Sequence, residues 1–472
     1  MGKDFVATSG MGMGGKKKYS RGQVLKMGGA LAAGSVAVPW LAGCGGGDLS
    51  GSEITIAAVN NPQMEDMEGL VQDFKKKTGI TARFQFLPEN DLRQKVTQDV
   101  SLNAGNFDIV MVGAYETPIW AQSQWLEPLD PMFEKLGQKE RDNYDLGDVL
   151  PTWKTALSYQ DQLYSLPFYG ESSSLFYRKD LFEKAGIQMP ERPTWEEVTG
   201  FAKELHDPDG GISGIAMRGL PGWGANMATF VTMMNTYGGR WYDENWQPQL
   251  DSPEVGDAIE QYVMLANNYA QAGITSDNFP ECLTLFSSGK AAMWCDATVA
   301  GGLVSDPEVS EVSDKVGFAY APTAVTDNGS HWLWAWSLGI ETASKNKEAA
   351  FEFLRWSTSK EYLKLVGEKL GYARVPPGTR VSTYEDTPYG KNPWTDVELT
   401  SIETANPSEP TRDPVPYTGI QYIPIPEFQQ LGDAVGRLVA SVVTGDLSTQ
   451  EFQERAQAEA LKVAKDGKYL KS

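Results

Sequence analysis

Two histidines, His206 and His331, and three cysteines in 472 residues leave few soft ligands for a transition metal. No cysteine pair or Cys/His cluster has zinc spacing, and no G-x-x-x-x-G-K-[ST] loop occurs, so a zinc hydrolase and a P-loop ATPase are excluded. Positive charge is scarce too. Six of the 41 basic residues but only one of the 62 acidic ones lie in residues 1–43, which leaves 35 against 61, a net −26, in the rest. A body that acidic repels phosphate backbones and excludes nucleic acid as a partner. The small, apolar run from Met27 to Gly43 is interrupted by Pro39 and is too short to span a bilayer comfortably. What remains, 41% apolar and 22% charged residues, is ordinary globular composition, and at ~100–200 residues per domain the length allows two to four domains.

The amino-terminal segment reads as an address rather than as part of the fold. Lys16-Lys17-Lys18 and Arg21 precede the apolar run, which ends in Leu41-Ala42-Gly43-Cys44 followed by three glycines. That arrangement resembles a bacterial lipoprotein signal over residues 1–44, in which Cys44 is lipidated and becomes the new amino terminus; a buried apolar helix with an incidental cysteine is the alternative. Residues 45–53 read as a flexible tether. Export implies an oxidising compartment. Cys282 and Cys295, 13 positions apart, would then close a loop worth about 3 kcal/mol if bonded. Two buried free thiols remain the other reading, since spacing alone does not establish disulfide geometry.

After the tether the pattern is α/β. Ile54 to Val59 is a short apolar strand ending in the polar turn Asn60-Asn61-Pro62. A helix follows with Met64, Met67, Val71 and Phe74 on one face, stopped by Gly79. Thr81–Phe86 and Phe107–Val112 read as further strands around a helix from Asp91 to Leu102, an alternation that predicts a mostly parallel sheet with right-handed crossovers. Ligands on such sheets sit beyond the carboxyl ends of the strands, here Asn60-Asn61 and Gly113 to Glu116. Capping boxes announce helices at Thr194–Glu197, Thr358–Glu361 and Ser448–Glu451, and Ser252-Pro253 opens another. Residues 373–426 read as proline-rich, aromatic and irregular.

Three blocks in order carry a family resemblance: Gln162 to Gly186 (QLYSLPFYGESSSLFYRKDLFEKAG), Ser288 to Met293 (SGKAAM) and Ala343 to Ala350 (ASKNKEAA). They resemble the extracellular solute-binding proteins, the sugar receptors of ABC importers similar to the maltodextrin-binding protein. Val59–Asn61, Tyr115–Trp120, Gly219–Gly224, Ser330–Trp336 and Pro414–Gly419 are most similar to the polyol (sorbitol/mannitol) branch. The resemblance implies a two-lobed periplasmic-binding-protein fold, with ligand in the interlobe cleft and three hinge crossings near Phe168–Ser172, Tyr320–Thr323 and Gly371–Val375. It implies an amino-terminal lobe of residues 53–168 and 322–371 and a carboxyl-terminal lobe of 172–320 and 374–472. The function implied is extracytoplasmic binding of a sugar alcohol or small sugar for delivery to membrane permease subunits by a monomeric, lipid-anchored receptor. No catalysis, metal or cofactor is called for.

A polyol offers many hydroxyls and some apolar C–H surface, so its site needs carboxylates, amides and aromatic faces. The resemblance puts a ligand-contacting carboxylate at Glu171, in the first crossing, and sugar-contacting polar groups at Tyr115 and Glu116. Asn60 and Asn61 follow the first strand, where a plain turn is an equal reading. Asp296 follows the strand from Ala291 to Cys295 and is either a ligand contact or a helix cap. Trp332, Trp334 and Trp336 alternate, so an extended segment turns all three one way, towards ligand or core. Trp223 sits in a Gly/Pro-rich loop, where stacking on ligand explains an aromatic; Arg374 and Gln421 complete the set. The aromatic platform of maltodextrin binders is lost, with Leu431 and Gly432 near its place, so a small polyol or monosaccharide fits better than a long oligosaccharide. Glu116 and Glu171 could also serve as the acid and base of a glycoside hydrolase, the enzymatic alternative. No G-x-S-x-G elbow accompanies them.

Overall fold

The structure, a computed structural model, describes residues 49–470. Cys44 and the first part of the expected tether lie outside them. Residues 49–52 are already tied to the fold, with Gly51 N–H donating to Gly79 O (3.0 Å) and Thr81 N–H to Ser52 O (2.8 Å).

β1 (Glu53–Val59) is apolar and buried over most of its length, and α1 (Pro62–Thr78) follows it. Asn61 caps α1 by accepting from Met64 N–H (3.0 Å), Pro62 fits the first turn, and Gly79 closes the helix at φ 77°. β2 (Thr81–Leu87) pairs in parallel with one edge of β1. α2 (Glu89–Leu102) begins two residues before the expected Asp91, directly after Pro88. β3 (Ile109–Gly113) pairs in parallel with the other edge of β1 and leads into α3 (Glu116–Gln122).

β4 (Ser165–Glu171) carries the chain out of this sheet, and β5 (Ser173–Arg178) begins a second one, so a single residue, Ser172, separates the two. The second sheet holds β5 between β6 (Met293–Ala297) and β7 (Val316–Tyr320). The chain returns through residues 321–333 to β8 (Trp334–Ile340), which completes the first sheet in the order β2-β1-β3-β8-β4.

The expectation of a mostly parallel sheet holds for the first sheet, where β1 to β4 run in one direction and β8 opposes them, but not for the second. β8 is antiparallel to both β3 and β4, and both pairings in the second sheet are antiparallel. The reason is topological: β4 leaves the first sheet and β8 re-enters it from the same end, so the two run in opposite directions.

Helices cover both sheets. α4 (Trp195–Leu205) has the expected Thr194/Glu197 capping box, and α6 (Pro253–Asn268) the Ser252 cap. Between them α5 (Asn226–Thr236) is buried on every side, and α7 (Phe279–Ser287) precedes β6. α8 (Lys347–Ser357) and α9 (Lys360–Leu370) follow β8, and Ser359 rather than Thr358 caps α9. Thr358 instead closes α8 by donating to Leu354 O (2.7 Å). The chain ends in α11 (Phe428–Val443) and α12 (Thr449–Asp466), with the expected Ser448/Glu451 capping box.

The segment 373–426 is less irregular than expected, because it contains α10 (Thr395–Thr404). Its buried glutamate, Glu398, accepts from the Tyr384 and Tyr389 hydroxyls (2.6 and 2.8 Å). Burial pushes this carboxyl up to about 8 against those two hydrogen bonds. The folded chain therefore keeps a proton that the unfolded chain loses near pH 4.3, and stability falls as pH rises between those values, by up to about 1.4 kcal/mol per pH unit for one proton. Glu398→Gln is expected to flatten that share of the slope, read from urea midpoints between pH 5 and pH 8.

The disulfide reading for Cys282 and Cys295 is corrected: both are free and buried. On β6 successive side chains face opposite ways. Cys295 packs with its cross-strand partner Leu175 into the main core, while Trp294 and its partner Phe176 face the smaller core that holds Cys282. The thiols thus point into different layers.

Candidate functional site

The carboxyl ends of β1 and β2, the exit of β4, the start of β8 and the loop before α5 surround a cavity of about 320 Å³, within the usual size of small-molecule sites, roughly 300–1,000 Å³. Strand register builds one wall. Glu171 on β4 lies opposite Trp334 on β8, and Tyr169 opposite Trp336, so two polar groups and two indoles share a face. Trp332 extends the row; its backbone N–H donates to Ser173 Oγ (3.1 Å), and that hydroxyl donates to Ser330 O (2.6 Å). Gly113 lets the wall close up, because a Cβ there would overlap the Trp334 ring.

The opposite wall is the loop 219–224. Trp223 is held by its backbone N–H on Asp433 Oδ1 (3.0 Å) and packs edge-on against Trp334, with ring centres 5.4 Å apart. Gly432 on α11 is where a Cβ would come within 2.5 Å of Trp223 Cβ. Trp223 therefore packs directly on α11 at Gly432.

Eight of the twelve expected residues line this cavity: Asn60, Asn61, Glu171, Trp223, Trp332, Trp334, Trp336 and Gln421. Two of their amides are already occupied. Asn61 caps α1 and donates to Tyr169 Oη (2.9 Å), while Gln421 both accepts from Leu333 N–H and donates to Leu333 O (3.3 Å each).

The other four do not line it, for separate reasons. Tyr115 is a buried strut whose hydroxyl donates to Ile425 O (2.7 Å) and accepts from Gln429 N–H (3.3 Å). Glu116 is buried in an ion pair with Arg93 and does not line the cavity with Glu171. Asp296 lies within β6 and is wholly buried, where it takes both Nε (2.8 Å) and Nη2 of Arg218. Arg374 pairs with Asp66 on α1 (2.7 and 3.0 Å) and approaches Asp306 (3.5 Å).

The two arginines behind those pairs were not singled out from sequence, yet both reach the cavity. Arg93 comes from the first turns of α2, next to Glu89 (2.9 Å), and its guanidinium lies 4.1, 4.7 and 5.0 Å from the ring centres of Trp223, Trp336 and Trp334. Cation–π contact with three indoles fixes their orientation as much as their packing does. Arg218 completes its bonding by donating Nη1 to Gly224 O (3.0 Å). The available signal was an i, i+4 Glu89/Arg93 pair at a strand end and a lone arginine after the apolar stretch Ile215-Ala216-Met217.

Glu171 stands apart from these satisfied groups. It is 7% exposed and lines the cavity, and its side-chain carboxyl takes part in none of the side-chain hydrogen bonds or ion pairs among the described residues. Burial pushes its carboxyl well above the usual range; the Arg218 charge opposes this, and Asp296, Glu89 and Glu398 add to it. His331 faces Thr404 (3.0 Å), not the cavity, and burial lowers it to about 4.

Relatives of known name and structure are similar to this chain over most of its length. The mannitol-binding protein of Pseudomonas aeruginosa is 43% identical over 93% of this chain and 98% of its own. The erythritol/L-threitol-binding protein of Mycolicibacterium smegmatis is 24% identical over 76% of this chain and 81% of its own. A solute-binding protein of an ABC transporter from Agrobacterium vitis, solved with D-mannitol bound, superposes with a TM-score of 0.86 at 44% identity, covering 89% of this chain and 100% of that one. A ribitol complex from Agrobacterium radiobacter superposes at 0.77 with 26% identity, over 88% of this chain and 100% of that one. With a family profile also matching residues 59–364, the chain belongs to the bacterial extracellular solute-binding proteins.

Proposed function

We propose that the chain is the substrate receptor of an ABC importer for a sugar alcohol, of which D-mannitol is the first candidate. The observation that carries this reading is the buried, unpartnered Glu171 carboxyl facing three indoles in one small cavity. Polyol hydroxyls donate to such a group while the carbon chain packs on the rings. The 43% identity to a mannitol-binding protein supports the same ligand class.

In this reading residues 53–168 with 322–371 form one lobe and 172–320 with 374–472 the other. They close on ligand about three crossings, near Phe168–Ser172, Tyr320–Thr323 and Gly371–Val375, and the permease recognises the closed form. The chain acts as a monomer, outside the cytoplasmic membrane, without chemistry on its ligand. Lipid on Cys44 supplies the anchor, so Cys44→Ser is expected to free the chain from membranes. Small-angle scattering of the chain with saturating D-mannitol is expected to give a smaller radius of gyration than without it. An unchanged radius together with saturable binding would contradict the closing mechanism.

A further inference from the structure

The charges around the cavity are unequally satisfied. Both guanidiniums that reach it are paired: Arg93 with Glu89 and Glu116, Arg218 with Asp296 through two nitrogens. Two cations therefore meet three carboxylates before Glu171 is counted, and no cation is left over for a ligand anion. Glu171 is the one acid lining the cavity that is both more than nine-tenths buried and without a partner among the described residues. The charges that act on it are Arg218 from the loop before α5 and Glu89 from α2, which line the cavity, and Asp296 from β6 and Glu398 from α10 behind it, with Tyr169 two positions back on its own strand.

From this arrangement we propose that the cavity sorts polyhydroxylated ligands by charge: it accepts a protonated amino-alditol, ammonium on Glu171, and rejects the corresponding aldonate. The inference rests on the polyol reading and extends it to a second ligand class. An ammonium ion at the Glu171 carboxylate forms a charge-assisted hydrogen bond and lies among indole faces that favour a cation. A ligand carboxylate in the same place meets Glu171 with no free guanidinium to pair with, in a site where burial already disfavours one more negative charge.

The test is calorimetric titration of the full chain at neutral pH with three ligands of one carbon skeleton: D-mannitol, 1-amino-1-deoxy-D-mannitol and D-mannonate. The expected results are an amine Kd within tenfold of that for mannitol or tighter, and a mannonate Kd at least 100-fold weaker. In Glu171→Gln the ratio of amine to mannitol affinity should fall at least tenfold, and in the control Glu183→Gln, on an exposed helix position, it should not change. Mannonate binding within tenfold of mannitol, an amine more than 100-fold weaker, or an unchanged ratio in Glu171→Gln would each overturn the proposal. Failure of mannitol itself to bind would instead bring down the polyol reading and this inference with it.

Discussion

Asp296→Asn is expected to cost about 3–5 kcal/mol of stability, because it leaves the buried Arg218 guanidinium without its counter-charge. The size of the effect follows from what Asp296 does. It takes Nε and Nη2 of Arg218, accepts from Trp294 Nε1 (3.0 Å), and does not itself line the cavity. Ligand affinity should fall as well, since Arg218 would lose its fixed place in the wall. The urea midpoint of the ligand-free chain separates this account from a direct ligand contact. A contact residue leaves that midpoint nearly unchanged, whereas a buried counter-ion moves it by more than a molar unit at a slope of about 1–3 kcal/mol per molar. Removing both charges, in Asp296→Asn with Arg218→Met, should recover most of the stability and none of the binding.

Glu171→Ala should act in the opposite sense on the two quantities. Charge-assisted hydrogen bonds contribute about 1.5–3 kcal/mol each, so their loss should weaken D-mannitol binding about 100-fold at 1.4 kcal/mol per decade. The ligand-free chain should become more stable, because the substitution removes a buried carboxyl that no protein group satisfies. The pH dependence carries the same sign. A carboxyl raised by burial keeps its proton in the folded state after the unfolded chain has lost it, so the parent chain loses stability with rising pH above about 4.3 and the alanine variant does not share that loss. Equal ligand-free stabilities with a 100-fold affinity loss would leave the burial argument wrong and the contact argument intact.

How much of this was legible in the sequence depends on the range of the interaction. β1, α1 and their caps follow from local pattern: an apolar run, a 3.6-residue stripe, Asn61 before Pro62 and Gly79 at the end. The Trp332/Trp334/Trp336 row and Glu171 were legible for the same reason, since period two puts alternate side chains on one face whatever the partner strand is. Ion pairing was not legible. Arg93 and Glu116 are 23 positions apart, Arg218 and Asp296 are 78 apart, and nothing local distinguishes an arginine bound for a buried carboxylate from a solvated one. That is why Glu116 and Asp296 were read as ligand contacts, one step removed from the arginines they hold. Thiol geometry was hidden too, because the side on which Cys295 points depends on strand phase and the position of α7, not on the 13-residue spacing.

The central claim, that this receptor binds a sugar alcohol through the Glu171 cavity, is tested most directly by titrating the full chain with D-mannitol in a calorimeter and recovering the ligand afterwards. The account predicts one saturable site per chain, D-mannitol returned chemically unchanged, and a stability gain of about 2.7 kcal/mol at 100 times the measured Kd. Absence of saturable binding to mannitol and to other alditols, or recovery of an altered sugar, would contradict it.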